Sequence, residues 1–349
     1  MRHLPACSSL IPGSGANPMS RPSSGLSIRH LLRRDVLLYV AARVGQSALV
    51  LWAAFTLSFA ILYVLPGDPV SIMVNQDGQS LVDGAELAKL KAEYNLDKPI
   101  TEQYFIALWR VLHLDFGRSI QSGQTVASAL ANAIPPTANL AFCALVVALI
   151  MGVGLAVLGC LVQAPWLRTL LLALPSLGAA LPTFWIGLLF LQVLSFHFTI
   201  FPAMGNDGWR SLVMPVATLA IPTSARIAQV MSRSLALVWS QPFTEAIRAK
   251  GVSRTHLMLV HTLPNAAIPL LTMAGLIVGG LLAGSVVTET VFSRDGIGRL
   301  AQGAVSAKDI PMVQGVVLVV AASFVVVNLI VDLLYPLLDP RITLSGKRR

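Results

Sequence analysis

Five stretches of this sequence, 47–65, 140–162, 170–196, 263–288 and 310–331, contain no charged residue at all. Each approaches or exceeds the roughly 20 apolar residues that cover a ~30 Å hydrocarbon core at about 1.5 Å per residue. A sixth run, 211–224, is short and stops just before Arg226, but apolarity returns at Val230 and Met231, which fits a tilted helix with a snorkelling arginine. The expectation is an all-α integral membrane protein with six transmembrane helices. Charged residues make up only 12% of the chain, about half the share of a soluble domain.

Orientation follows from the bases. Grouping the amino-terminal tail, the 163–169 loop, the 225–262 loop and the carboxy-terminal tail on one side collects 16 of the 25 Lys and Arg residues there. That side is cytoplasmic, and both termini with it. The net charge of +9 is then explained by loops near anionic headgroups, so no nucleic-acid partner is expected. The expected layout is a disordered basic tail (1–34), a first transmembrane helix (35–66), an extracytoplasmic helical segment (67–136), a five-helix core (137–340) and a basic tail (341–349). The tail does not resemble a cleaved signal, and Met19 offers a second candidate start.

Local signals refine this layout. "LPGDP" (Leu65–Pro69) stops the first helix. Beyond it, Asp83 is placed to cap a helix carrying Leu87, Leu90 and Tyr94. Pro99 is placed to open another, with Tyr104, Leu108, Val111 and Leu112 on one face. Such amphipathic helices suit either the membrane surface or a docking face for an external partner. Pro175 and Pro182 predict a kinked third span, and Pro215 and Pro222 a kinked fourth. Proline-freed carbonyls need protein or water beside them, so Pro182, Pro215 and Pro222 are candidates for lining a pathway, as are the in-span polar groups Ser285, Gln314 and Asn328. Gly275, Gly279, Gly280 and Gly284 form two overlapping G-x-x-x-G spacings, so the fifth span is expected to pack closely on a neighbour, within the chain or across a dimer.

Resident chemistry is not expected. The six histidines form no H-E-x-x-H. "SGKRR" lacks the upstream glycine of a phosphate loop, and no G-x-S-x-G is present. Cys7, Cys143 and Cys160 have no metal-ligand spacing, so no metal is expected. Arg226, Glu289 and Asp332 lie near the predicted span ends and form no central proton relay, which weighs against the alternative of a secondary carrier driven by a proton or sodium gradient.

One polar heptad stands out against this background: "EAIRAKG" (245–251), in a loop where Glu245 is the single acid. Ser240 is a reasonable cap, Pro242 fits a first turn and Gly251 is placed to end the helix in the left-handed conformation. Phe243, Ala246 and Ile247 then share one side, with a Glu245–Arg248 pair on another. An apolar knob with a charged rim is what a protein groove accepts.

The heptad resembles the cytoplasmic signature of permease subunits in bacterial ATP-binding-cassette importers: E-A-A, three residues, G, nine residues, I, one residue, L-P. Glu245, Ala246, Gly251, Leu263 and Pro264 are in register, with Ile247 and His261 as departures. "LPGDP", "YNLDKPITEQY", "LDFGRSI", "IRAKG", the run Gly279–Gly315 and "DLLYPLLDPRI" are similar to the dipeptide, oligopeptide and nickel branch of that family. The resemblance covers about residues 30–345. It implies the type I importer membrane fold in the bacterial cytoplasmic (inner) membrane and a coupling helix seated in an ATPase groove. It also implies a second homologous permease, two cytoplasmic ATPase subunits that hold the ATP and magnesium, and an extracytoplasmic solute-binding protein. No cofactor is expected on this chain. Its cargo is then a di- or oligopeptide moved by alternating access.

Overall fold

A computed structural model describes residues 27–64 and 97–338, with side chains described from 40 to 62 and from 97 to 332. The expected helix after Asp83 and the tail at 341–349 lie outside the described residues. Among those described there is no strand, only an isolated antiparallel bridge between Arg118 and Thr125.

Helix α1 spans Ser27–Phe59 and closes in a π-helical turn, Ala60–Val64. Residues 27–34, expected in the tail, are therefore helical. The extracytoplasmic helix α2 (Ile100–Leu112) follows Pro99, as its fixed φ predicts. Tyr104, Leu108 and Val111 pack on Phe55, Phe59 and Leu318, and the Tyr104 hydroxyl meets Thr56 Oγ1 at 2.9 Å. Leu112, expected on this face, is exposed; it shares the outer side with Phe105 and Trp109.

Helix α3 (Val126–Leu161) starts well before the uncharged run and carries Pro135 and Pro136 inside it. The expected third span is two helices, α4 (Pro165–Ala180) and α5 (Thr183–Phe190), the latter prolonged by a π turn, Leu191–His197. They meet at 97°. The break falls at Leu181–Pro182, both extended, because a residue before proline is pushed out of the helical region. Pro175 sits within α4 without ending it.

Helix α6 (Arg210–Trp239) is longer than the run 211–224 and is a single helix through both Pro215 and Pro222. It places Arg226 at mid-helix and Arg233 in the span, not in a loop. The carbonyl that Pro215 leaves without its usual partner belongs to Ser211, and Arg294 Nη1 donates to it at 3.3 Å. After α7 (Pro242–Ala249) and α8 (Arg254–His256) comes a π turn, Leu257–Thr262. The uncharged run 263–288 does not form one helix. Pro264 and Pro269 open two short pieces, α9 (Leu263–Ala266) and α10 (Ile268–Thr272), before α11 (Ala274–Val291). The described residues close with α12 (Ile297–Ser306) and α13 (Ile310–Leu338). Among the described residues five helices are long and apolar enough to cross a membrane, or six if the bent pair counts as one span.

Helix α6 is the hub. Its main partner is α3, whose Ala144, Ala148, Gly152 and Ala156 recur every four residues and are all buried. A Cβ at Gly152 would stand 2.7 Å from both Ile227 Cγ2 and the Ser224 carbonyl oxygen, so the two backbones touch only because glycine is there. The glycines of α11 pack within the chain: Gly275 and Gly279 on Asn328 and Phe324 of α13, Gly280 and Gly284 on Arg226 and Leu219 of α6. Outward faces are apolar, with Trp52, Phe142, Ile150 and Val326 exposed, as a hydrocarbon solvent requires.

Candidate coupling and gating site

The heptad 245–251 begins within a short helix, α7, at one end of α6 and ends just past it. Pro242 occupies its first turn, Gln241 rather than Ser240 stands at the N-cap, and Ser240 instead terminates α6, its hydroxyl donating to the Leu237 carbonyl. Gly251 ends the segment at φ +81°, the left-handed geometry that the sequence predicts. Thr244 is the buried residue of α7, with its hydroxyl within 2.7 Å of the Trp239 carbonyl. Ile247 is half-buried on the same inner side, so it separates from the expected knob. Phe243, Glu245, Ala246 and Arg248 are uncovered. Among the described residues Glu245 and Arg248 form no ion pair, which leaves both charges available to a partner.

Two anchors fix this helix to the spans. Leu257 and Met258 are fully buried, and Met258 joins the core of α3, α6 and α11. Arg254 then straps the loop down: Nη2 donates to the Cys160 carbonyl at the end of α3 at 2.8 Å, and the guanidinium lies 5.6 Å from the Trp239 ring. A cation at a helix carboxyl end meets the negative end of its dipole. Sequence reading missed Arg254; its one signal is a base following Ser253, which caps α8 by accepting from His256 N. Arg254→Ala is expected to cost about 1 kcal/mol and to speed amide exchange across 240–256 without unfolding the spans, as read by hydrogen–deuterium exchange. Leu263 is half-buried against the core and Pro264, exposed, opens α9.

The opposite end is closed by a buried polar knot. Glu289, 1% exposed, accepts from Thr137 Oγ1 at 2.6 Å and from the Gly298 amide at 2.7 Å, while Thr137 Oγ1 accepts from the Ile297 amide at 2.8 Å. A carboxylate thus sits at the amino end of α12, where free amides favour it. A Cβ at Gly296 would strike that carboxylate, and one at Gly298 would strike the Val286 backbone. Beside it Arg294, 4% exposed, donates to the carbonyls of Gly205 and Ser211. Burial pushes its guanidinium below the usual range, against Glu289 and Asp295, which raise it. Asp309 completes the knot: it accepts from Ser119 Oγ and from the Ile120 amide and caps α13 at the Met312 amide.

Of the expected pathway residues, Pro215, Pro222, Ser285 and Gln314 are buried within the chain, and Ser285 Oγ donates to its own helix at Leu282. Asn328 Nδ2 bonds the Phe324 carbonyl. Pro182 is exposed at the α4–α5 bend. The three proline positions are therefore not one surface.

Residues 144–344 match the family described as binding-protein-dependent transport system inner membrane component. The chain belongs to this family. Among its relatives are a putative peptide transport system permease protein of Brucella abortus strain 2308 and the dipeptide transport system permease protein of Escherichia coli K12. The first is 33% identical over 87% of this chain and 98% of its own length. The second is 31% identical over 88% and 99%. A glutathione transport system permease protein of Escherichia coli O1:K1 is 32% identical over 88% and 99%. The permease thus has the all-α type I ATP-binding-cassette importer membrane fold, lies in the inner membrane and is not a gradient-driven carrier. Permeases of this kind leave ATP hydrolysis to separate subunits.

Proposed function

We propose that the permease moves short peptides inward by alternating access, and that α7 is the element its ATPase pushes. The supporting observation is the contrast within α7: Phe243, Glu245, Ala246 and Arg248 are uncovered, while its base is held by Thr244, Arg254 and Met258. An isolated helix of eight residues is marginal, so a helix of this length held out from the body is suited to a partner groove. The partners in this reading are a second homologous permease, two cytoplasmic ATPase subunits carrying ATP and magnesium, and an extracytoplasmic solute-binding protein. Peptide cargo is suggested by the peptide and dipeptide transport permeases among the relatives.

The test is reconstitution of the permease with those partners in vesicles. ATP-dependent uptake of a labelled dipeptide is the expected result. Uphill accumulation by this chain alone, without nucleotide, overturns the proposal.

A further inference from the structure

The acids inside the spans are held by partners, whereas two arginines of α6, Arg226 at its middle and Arg233 about two turns nearer its end, have none among the described residues. Glu289 is held by Thr137 and Gly298, and Asp332 lies 3.3 Å from Arg43. Arg226 has neither a hydrogen bond nor an ion pair among the described residues, although its side of α6 is open and the residue is exposed. It stands about 24 Å from the start of α6 and about 20 Å from its end. Three helices press on α6 at this level, each through a glycine: Gly152 against Ile227, Gly178 against Ala225, and Gly280 against Arg226 itself, where a Cβ would stand 3.3 Å from Nη1. The stripe left uncovered carries Arg226, half-covered Val230, Arg233 and Leu237, one helical face.

That stripe is unsuited to lipid. A span-centre arginine costs about 3 kcal/mol against hydrocarbon, and α6 is the most enclosed of the crossing helices, with 72% of its apolar window buried against 17–39% in the others. Beside the guanidinium is a cavity of about 80 Å³ lined by Thr223, Val230, Leu270, Met273, Leu276 and Ile277. Such a niche has room for a few waters or one carboxylate, not for a whole peptide. Apart from Thr223, whose hydroxyl donates to its own helix at Leu219, its other walls are apolar, which strengthens a cation's attraction for an anion.

We propose that Arg226 is a transit contact that takes the free carboxylate of the passing solute, so that the path selects for peptides with an unblocked carboxy terminus. This rests on the peptide reading above. Arginine suits the task because its planar fork matches a carboxylate bidentately and it keeps its charge.

The test uses the complete complex in vesicles, with labelled alanyl-phenylalanine as probe at saturating binding protein. Arg226→Gln is expected to lower ATP-driven uptake roughly ten- to hundredfold, the rate equivalent of a lost charge-assisted hydrogen bond. Assembly with the second permease and stimulation of the ATPase by binding protein should persist, and Arg226→Lys, which keeps the charge but not the bidentate fork, should recover only part of the uptake. Wild-type uptake by Arg226→Gln overturns the transit contact alone. So does loss of assembly in both variants, which would place Arg226 in the contact between the two permeases. A wild-type complex that imports other solutes but no peptide overturns the peptide reading and this proposal together.

Discussion

Glu289→Ala is expected to cost about 3 kcal/mol and to lower the melting temperature of the detergent-solubilised permease sharply, because it leaves the buried Gly298 amide unpaired, takes from the Thr137 hydroxyl its closer acceptor and leaves it only the Ala133 carbonyl at 3.2 Å, and opens a void at the knot. The Gly298 amide and the Thr137 hydroxyl both donate to that carboxylate from other elements, and Glu289 itself is 1% exposed. Glu289→Gln keeps the shape and one acceptor, so a cost of about 1 kcal/mol is expected. Heating aliquots and following the monodisperse peak separates the two. An alanine variant melting with the wild type would show that the knot holds nothing.

The second large effect concerns transport rather than stability. Gly251→Pro cannot adopt φ +81° and also loses the Gly251 amide bond to the Arg248 carbonyl, so the end of α7 must rearrange. Glu245→Lys inverts an exposed charge with no internal partner. Both are expected to reduce ATP-driven uptake to background while the permease still inserts and melts normally in its spans. Glu245→Lys is the cleaner of the two, since it disturbs no packing. Undiminished uptake at normal expression would argue that α7 is not the pushed element.

What could be seen in the sequence depended on whether the signal was local. The apolar runs, the left-handed end at Gly251 and the start of α2 after Pro99 need only neighbouring residues, and each was legible. The prolines inside the spans were legible only in part: a bend was expected at Pro182 and is found there, but what the others do was not. Pro182 breaks the chain because Leu181 is pushed to extended geometry, whereas Pro215 stays inside a helix, and Arg294, 83 positions from Ser211, supplies a donor for the freed Ser211 carbonyl. A distant compensating donor has no local trace. The α3–α6 seam was legible in principle, since Ala144, Ala148, Gly152 and Ala156 share a four-residue spacing, but four small residues in an alanine-rich span are easily passed over. At the candidate site the exposed charges of α7 were found from helical geometry. The inward turn of Thr244 and Ile247 and the strap from Arg254 depend on where Trp239 and Cys160 lie in space.

The unbroken course of α6 has a mechanical consequence. At about 45 Å it runs as one helix from the Arg294 clamp, where it begins, to Trp239, against which α7 is seated. Because neither proline breaks it, its two ends belong to a single element, and a 5° tilt about one end would displace the other by roughly 4 Å over that length. On the proposal that α7 is the pushed element, a small stroke at its foot is then enough to move the wall above.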